Sequence, residues 1–200
     1  MDPRELLFYL NNKHSNGSIA FRSLDITNDM DTIHDWVNQP YAKRYWKMEM
    51  DKASLQKEYA TMLSDPLKHS FIGLFNNQMV CQIDCYNVSA EELKDHVEPN
   101  AGSCGLHILM CPPRELTKRL TETMLKAFIK FYFSFSVAET LYGEPDEKNT
   151  PANIAAKRSG FQFQKTIQLS YKTANLYAIN KNNFHEQQFN EQKFKTYSKL

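Results

Sequence analysis

Residues 102–128, GSCGLHILMCPPRELTKRLTETMLKAF, change from a strand pattern to a helix pattern across a pair of prolines. Cys104, Leu106, Ile108 and Met110 alternate with Gly105, His107 and Leu109, the two-residue period of a strand. Pro112 and Pro113 stop it, because proline has no N–H for a sheet ladder. Leu116, Leu120 and Met124 then recur at i, i+4 and i+8, joined by Leu125, Phe128, Ile129 and Tyr132, the strongest amphipathic helix pattern in the chain. A second strand-to-helix passage follows in YGEPDEKNTPANIAAKRSGF, residues 142–161. Thr140–Gly143 is a short strand, Thr150 and Pro151 make a cap and first-turn pair, and Gly160 follows a helix ending at Arg158.

Outward from this stretch the chain alternates further. Residues 1–15 read as a short helix and Ile19–Leu24 as a strand. Met30–Val37 reads as a helix capped by Asp29, and Ser54–Leu63 as another with Leu55, Tyr59, Met62 and Leu63 on its apolar face. Phe71–Leu74 and Met79–Tyr86 are strands joined by a tight turn at Asn76–Asn77. A polar excursion over 87–101 carries Glu91, Glu92, Asp95 and Glu98. Phe161–Tyr171 alternates again, with Leu176–Ile179 following. The expected architecture is α/β: a central, twisted, mixed sheet flanked by helices in a single domain at 19–184. A helical extension at 1–18 precedes that domain, and a polar tail at 185–200 follows it.

The totals agree with one globular domain. The 200 residues are 42% hydrophobic and include 13 Phe, 10 Tyr and 2 Trp, enough for a large core. A formal net charge of +1 gives no global attraction for nucleic acid or an anionic membrane. No apolar run approaches the ~20 residues a membrane span requires, and residues 1–10 lack a secretory pattern, so a soluble cytoplasmic protein is expected. Cys81, Cys85, Cys104 and Cys111 form no C-x2-C pair and read as reduced structural thiols with no metal.

The central stretch can do chemistry. A helix starting just after a strand presents unpaired N–H groups and a positive dipole end, which suit a phosphate assisted by Arg114, Lys118 and Arg119. The plainer reading is a solvated basic first turn. His107 is either a core histidine or a group for proton transfer near neutral pH, with Asp146 as the carboxylate that orients it or holds a cationic substrate. Glu144 and Asp146, two apart, point to one side if their strand continues that far. Trp36 and Trp46 are core or lid aromatics.

In combination these motifs resemble the GNAT acyltransferases. The carriers are G-x-H-I-L-M-x-P-P ending at Pro113, G-E-P-D-x-x-N over Gly143–Asn149, and the S-G-F ending at Phe161. More narrowly they resemble the branch that acylates N-hydroxylated amines in siderophore biosynthesis. His34-Asp35-Trp36-Val37-Asn38-Gln39-Pro40 closing on Tyr45-Trp46, and the Q-I-D-C-Y of Gln82–Tyr86, match that branch too. The resemblance spans roughly residues 21–184.

It implies acetyl-CoA or another short acyl-CoA as co-substrate, without a metal. The pantetheine would lie along Ile108, Leu109, Met110 and Cys111. The pyrophosphate would lie near Arg114, Thr117, Lys118, Arg119 and Leu120, with Asn149 by the CoA arm. His107 and Asp146 are the catalytic candidates; Trp36, Asn38, Trp46 and Glu144 are the acceptor-site candidates. The expected acceptor is a hydroxylysine, hydroxyornithine or hydroxy-diamine, taken by a monomer or weak homodimer. The alternatives are a GNAT enzyme for another amine, such as an aminoglycoside or a protein N-terminus, and a non-catalytic interaction module. One departure stands out: Arg114–Arg119 lacks the glycines usual in the family's pyrophosphate loop, which bring backbone close to phosphate.

Overall fold

A computed structural model describes residues 5–12, 17–113 and 119–184. In chain order the strands and helices are β1 (Leu6–Asn12), β2 (Gly17–Ser23), α1 (Met30–Val37), α2 (Pro40–Lys43), α3 (Lys52–Leu63), β3 (Lys68–Phe75), β4 (Gln78–Asn87), β5 (Ser103–Met110), α4 (Leu120–Phe135), β6 (Thr140–Gly143), α5 (Thr150–Arg158), β7 (Gln162–Leu169) and β8 (Lys172–Asn180). They fall into two compact units, one holding residues 5–12, 17–84 and 108–113, the other 85–107 and 119–184. The α/β class and the mixed strand pairing expected from the sequence are both present.

In the first unit the strands run β1-β2-β3-β4, with β1, β2 and β3 paired antiparallel. Asn76 and Asn77 both take positive φ, 50° and 62°, as the two-residue turn between β3 and β4 requires. The Asn76 side chain also accepts from the Ser18 N–H at 2.8 Å, fixing the turn against β2. Met30, Ile33, Trp36 and Val37 bury one face of α1. Asp29 takes the N-cap position of that helix, as expected, but its side chain makes no capping bond. Its carboxylate instead accepts two bonds of 2.7 Å from Arg22 and one of 2.8 Å from the Asp25 N–H.

Within the helix expected over 1–15, the described residues Leu6–Asn12 instead form β1, paired with β2. A short apolar run does not distinguish the two states, and partnership with β2 satisfies the backbone of a Phe- and Tyr-containing segment. A register shift between Leu6 and Phe8 lets the adjacent Leu7 and Phe8 both be buried.

In the second unit the order is β5-β6-β8-β7. β5 and β6 are parallel, and β8 is antiparallel to both β6 and β7. The α4 helix buries Leu120, Met124, Leu125, Phe128, Ile129, Phe131 and Tyr132. It spans Leu120–Phe135, and the helix start expected directly after the prolines falls outside the described residues. Residues 114–118, which include the predicted Arg114, Thr117 and Lys118, lie outside the described residues, as does the tail at 185–200.

The α5 helix spans the expected residues, but its cap is Asn149, whose Oδ1 accepts from the Ala152 N–H at 3.2 Å, and not Thr150. Gly160 closes it with φ +100°, a conformation other residues rarely adopt. The 87–101 excursion is not a loose loop. Val88 and Leu93 pack with Tyr86, Ile167, Leu169, Ala174 and Leu176. Glu92 accepts from the Ser170 N–H at 2.7 Å and its hydroxyl at 2.9 Å. All four cysteines are free and buried. Burial holds the Cys81 and Cys104 thiols above their usual range, so neither is poised as a nucleophile. Among the described residues no helix is long and apolar enough to cross a membrane.

Candidate active site

His107 lies near the C-terminal end of β5, and Glu144 is the first residue after β6. The parallel pairing of these strands carries both residues to the same end, and His107 Nε2 contacts Glu144 Oε1 directly. Glu144 is only 3% exposed, whereas the His107 side chain is 34% exposed. A buried carboxylate thus anchors an imidazole that solvent can reach. A second cation shares the carboxylate: Lys172 Nζ is 3.7 Å from the same oxygen, and its side chain is 11% exposed. Burial works to raise the Glu144 carboxyl, but the His107 charge and hydrogen bond, helped by Lys172, outweigh it and hold the group below the usual carboxylate range. An ionised Glu144 accepts the Nε2 proton, so the neutral imidazole it fixes carries its lone pair on Nδ1.

Tyr86 completes the cluster from β4, its ring centroid 5.2 Å from that of His107. Burial and the nearby Glu144 charge push its phenol well up, so it stays protonated. Gly105 makes room for it: a Cβ there would fall inside the Tyr86 ring's van der Waals envelope. Gly105→Ala is therefore expected to displace Tyr86 and lower unfolding stability by about 2 kcal/mol. Urea unfolding checks this, and an unchanged midpoint would contradict it.

Asp146 does not reach His107. Its carboxylate accepts from the Lys148 N–H at 2.8 Å, and its backbone bridges to Ala174 on β8. The predicted His107–Asp146 pair is thus a His107–Glu144 pair. The cause is β8, which captures the chain after β6 through Asn175 N–H to Pro145 O at 3.0 Å and Glu147 N–H to Thr173 O at 3.0 Å. Asn153 holds the same segment from α5, donating to the Asp146 and Asn149 carbonyls at 2.9 and 2.8 Å and accepting from Asn175 and Tyr177. Sequence reasoning missed Lys172 and Asn153. Gly105 and Tyr86 were marked only as part of a resemblance. Asn149, predicted beside the CoA arm, spends its Oδ1 on capping α5.

The first unit holds most of the remaining described candidates. Trp36 is buried in α1. Asn38 donates to the His34 carbonyl at 2.9 Å and the Met50 carbonyl at 3.3 Å, and His34 Nε2 lies 3.0 Å from the latter, so both side chains clamp the 38–50 segment. Trp46 is half-buried. Ile108 and Met110 are half-buried, and Leu109 and Cys111 buried. The Met110 carbonyl accepts from the Tyr41 hydroxyl at 2.6 Å, and Cys111 N–H donates to Val80 O at 2.8 Å. In the second unit, Arg119 takes a left-handed φ of 63° at the cap position of α4. Its side chain makes no capping bond and instead pairs with Glu122 at 3.2 Å. The first-turn N–H groups of α4 are therefore not capped by the Arg119 side chain.

A family model described as an acetyltransferase (GNAT) domain matches residues 25–169. The N-hydroxyputrescine acetyltransferase of Acinetobacter baumannii is 24% identical over 170 residues, covering 85% of this chain and 81% of its own. The lysine N-acyltransferase MbtK of Mycobacterium sp. (strain MCS) is 18% identical over 161 residues, 80% of this chain and 66% of its own. Among solved structures, the aminoglycoside acetyltransferase AAC(6')-Ib in complex with coenzyme A superposes with a TM-score of 0.75 at 18% identity, covering 83% of this chain and 96% of that one. At that identity the likeness is one of fold.

Proposed function

The chain belongs to the acetyltransferase (GNAT) family, making it an acyl-CoA N-acyltransferase, and from that premise we propose that it acylates an N-hydroxylated amine to a hydroxamate in siderophore biosynthesis. The acceptor is a hydroxylysine, hydroxyornithine or hydroxy-diamine, and the donor is acetyl-CoA or another short acyl-CoA. One observation carries the choice: the buried Glu144 carboxylate is already shared by His107 and Lys172. The cluster therefore offers a base and not a seat for an ammonium group. A hydroxylamine nitrogen is less basic than that of a plain amine and reaches such a base uncharged.

The acyl thioester supplies the electrophilic carbonyl. As the acceptor nitrogen forms its C–N bond and the C–S bond breaks, the nitrogen's proton passes to His107 Nδ1 and the sulfur leaves as a thiolate that takes a proton from solvent. Glu144 stabilises the imidazolium so formed, and His107 then returns its proton to solvent to reset the base. Of the two roles open to Asp146, orienting the imidazole falls to Glu144; holding a charge on the acceptor's far end is the one we assign. Ile108–Cys111 are assigned to the pantetheine arm, and Arg119 and Leu120 to the pyrophosphate.

A second reading, an aminoglycoside acceptor, draws on the fold likeness to AAC(6')-Ib and on the acidic 87–101 segment. Glu92 in that segment is committed to Ser170. Release of free CoA from acetyl-CoA separates the two readings. N-hydroxyputrescine or N6-hydroxylysine is expected to exceed putrescine, lysine and kanamycin in kcat/KM by at least tenfold. Faster turnover of kanamycin or of the plain amines would remove the hydroxamate assignment.

A further inference from the structure

We propose that Lys172 is a positioning residue that sets the pH at which His107 takes up its proton, acting through the Glu144 carboxylate they share; this rests on His107 being the proton acceptor. Lys172 opens β8, and its Nζ lies 3.7 Å from the same Oε1 that contacts His107 Nε2. Both basic groups thus draw on the same oxygen, and the Tyr86 phenol hydrogen-bonds the same carboxylate. A lysine side chain as little exposed as this one is rare unless paired. This one is also held by the Tyr171 ring, 5.3 Å from Nζ to the centroid.

The charge logic follows from the count of groups. Glu144 alone would favour the imidazolium form of His107, which would then hold its proton through neutral pH. A second cation on the same carboxylate opposes that. Among the described residues, titratable groups near the cluster include Tyr86 from β4, Tyr171 from the β7–β8 turn, and Glu91 and Glu92 from the 87–101 segment. Burial pushes both phenols up, so they carry no charge near neutrality. Glu92 is tied to Ser170, and Glu91 acts on both phenols. Lys172 is thus the cation that balances the carboxylate beside His107.

Titration of the histidine resonances by NMR in wild type, Lys172→Met and Lys172→Arg tests this without any acceptor. The Met variant is expected to raise the His107 midpoint by about one pH unit or more, and the Arg variant to leave it near wild type. The acid limb of kcat/KM should move up with the midpoint. Should the Met variant fail to fold, Lys172→Gln serves in its place with the same expected rise. An unmoved midpoint in a folded charge-removing variant, or an equal rise in the Arg variant, would overturn the role of Lys172. A raised midpoint with an unmoved acid limb would instead overturn His107 as the proton acceptor. Absence of turnover with hydroxylamines would sink the assigned function while leaving the titration result standing.

Discussion

His107→Gln is expected to lower kcat/KM for the hydroxylamine acceptor by about 100-fold or more while leaving the melting temperature within a few degrees of wild type. The glutamine amide keeps an N–H donor where Nε2 meets Glu144, so the buried carboxylate retains a partner. What it lacks is a second, basic nitrogen: the Nδ1 lone pair has no counterpart in an amide. The loss should fall mainly in kcat, because proton removal belongs to the chemical step and not to ground-state binding. Steady-state CoA release beside a thermal melt separates the two effects. A variant with wild-type kcat/KM would mean that His107 is a packing residue, its plainer reading.

Glu144→Gln should be the costlier change for the fold. It strips a nearly inaccessible carboxylate from two basic neighbours and leaves Lys172, whose side chain is 11% exposed, without its counter-charge. A loss of about 3 kcal/mol at pH 7 is expected, the low end for breaking a buried ion pair. The pH dependence carries the sharper signature. The folded-state carboxyl lies below its usual range, so its contribution is fully present above the ordinary glutamate value of about 4.3. As the pH falls through and below that value, the unfolded chain takes up the proton first and the contribution is lost. The gap in unfolding free energy between wild type and Glu144→Gln should therefore narrow from pH 7 to below about pH 4. Denaturant unfolding at both pH values measures it. A gap that is constant or widens on acidification would contradict an ionised Glu144 in the folded protein. The same variant should lose about 100-fold in kcat/KM, since a neutral amide stabilises the imidazolium poorly.

The elements around this pair were legible where local chemistry decides them. The alternation into Pro112, the Asn76–Asn77 turn and Gly160 each depend on a few adjacent residues, and each stands where its pattern put it. The apolar run at Leu6–Leu10 was not legible, because its state depends on pairing with β2. The site divided in the same way. His107 and the acidic triplet after β6 were visible as motifs, but the choice between Glu144 and Asp146 was not. Both have the same strand parity, and β8 makes the choice by bridging Ala174 to Asp146. Lys172 carries no local signal at all, since only the β7–β8 hairpin returns it to Glu144.

The most direct measurement is the ratio of kcat/KM for N-hydroxyputrescine over putrescine, with acetyl-CoA at neutral pH and the product identified by its ferric hydroxamate absorbance. A base already balanced by Glu144 and Lys172 predicts a ratio of ten or more and a hydroxamate product that disappears with His107→Gln. A ratio below one, or a hydroxamate yield indifferent to His107, would contradict the account.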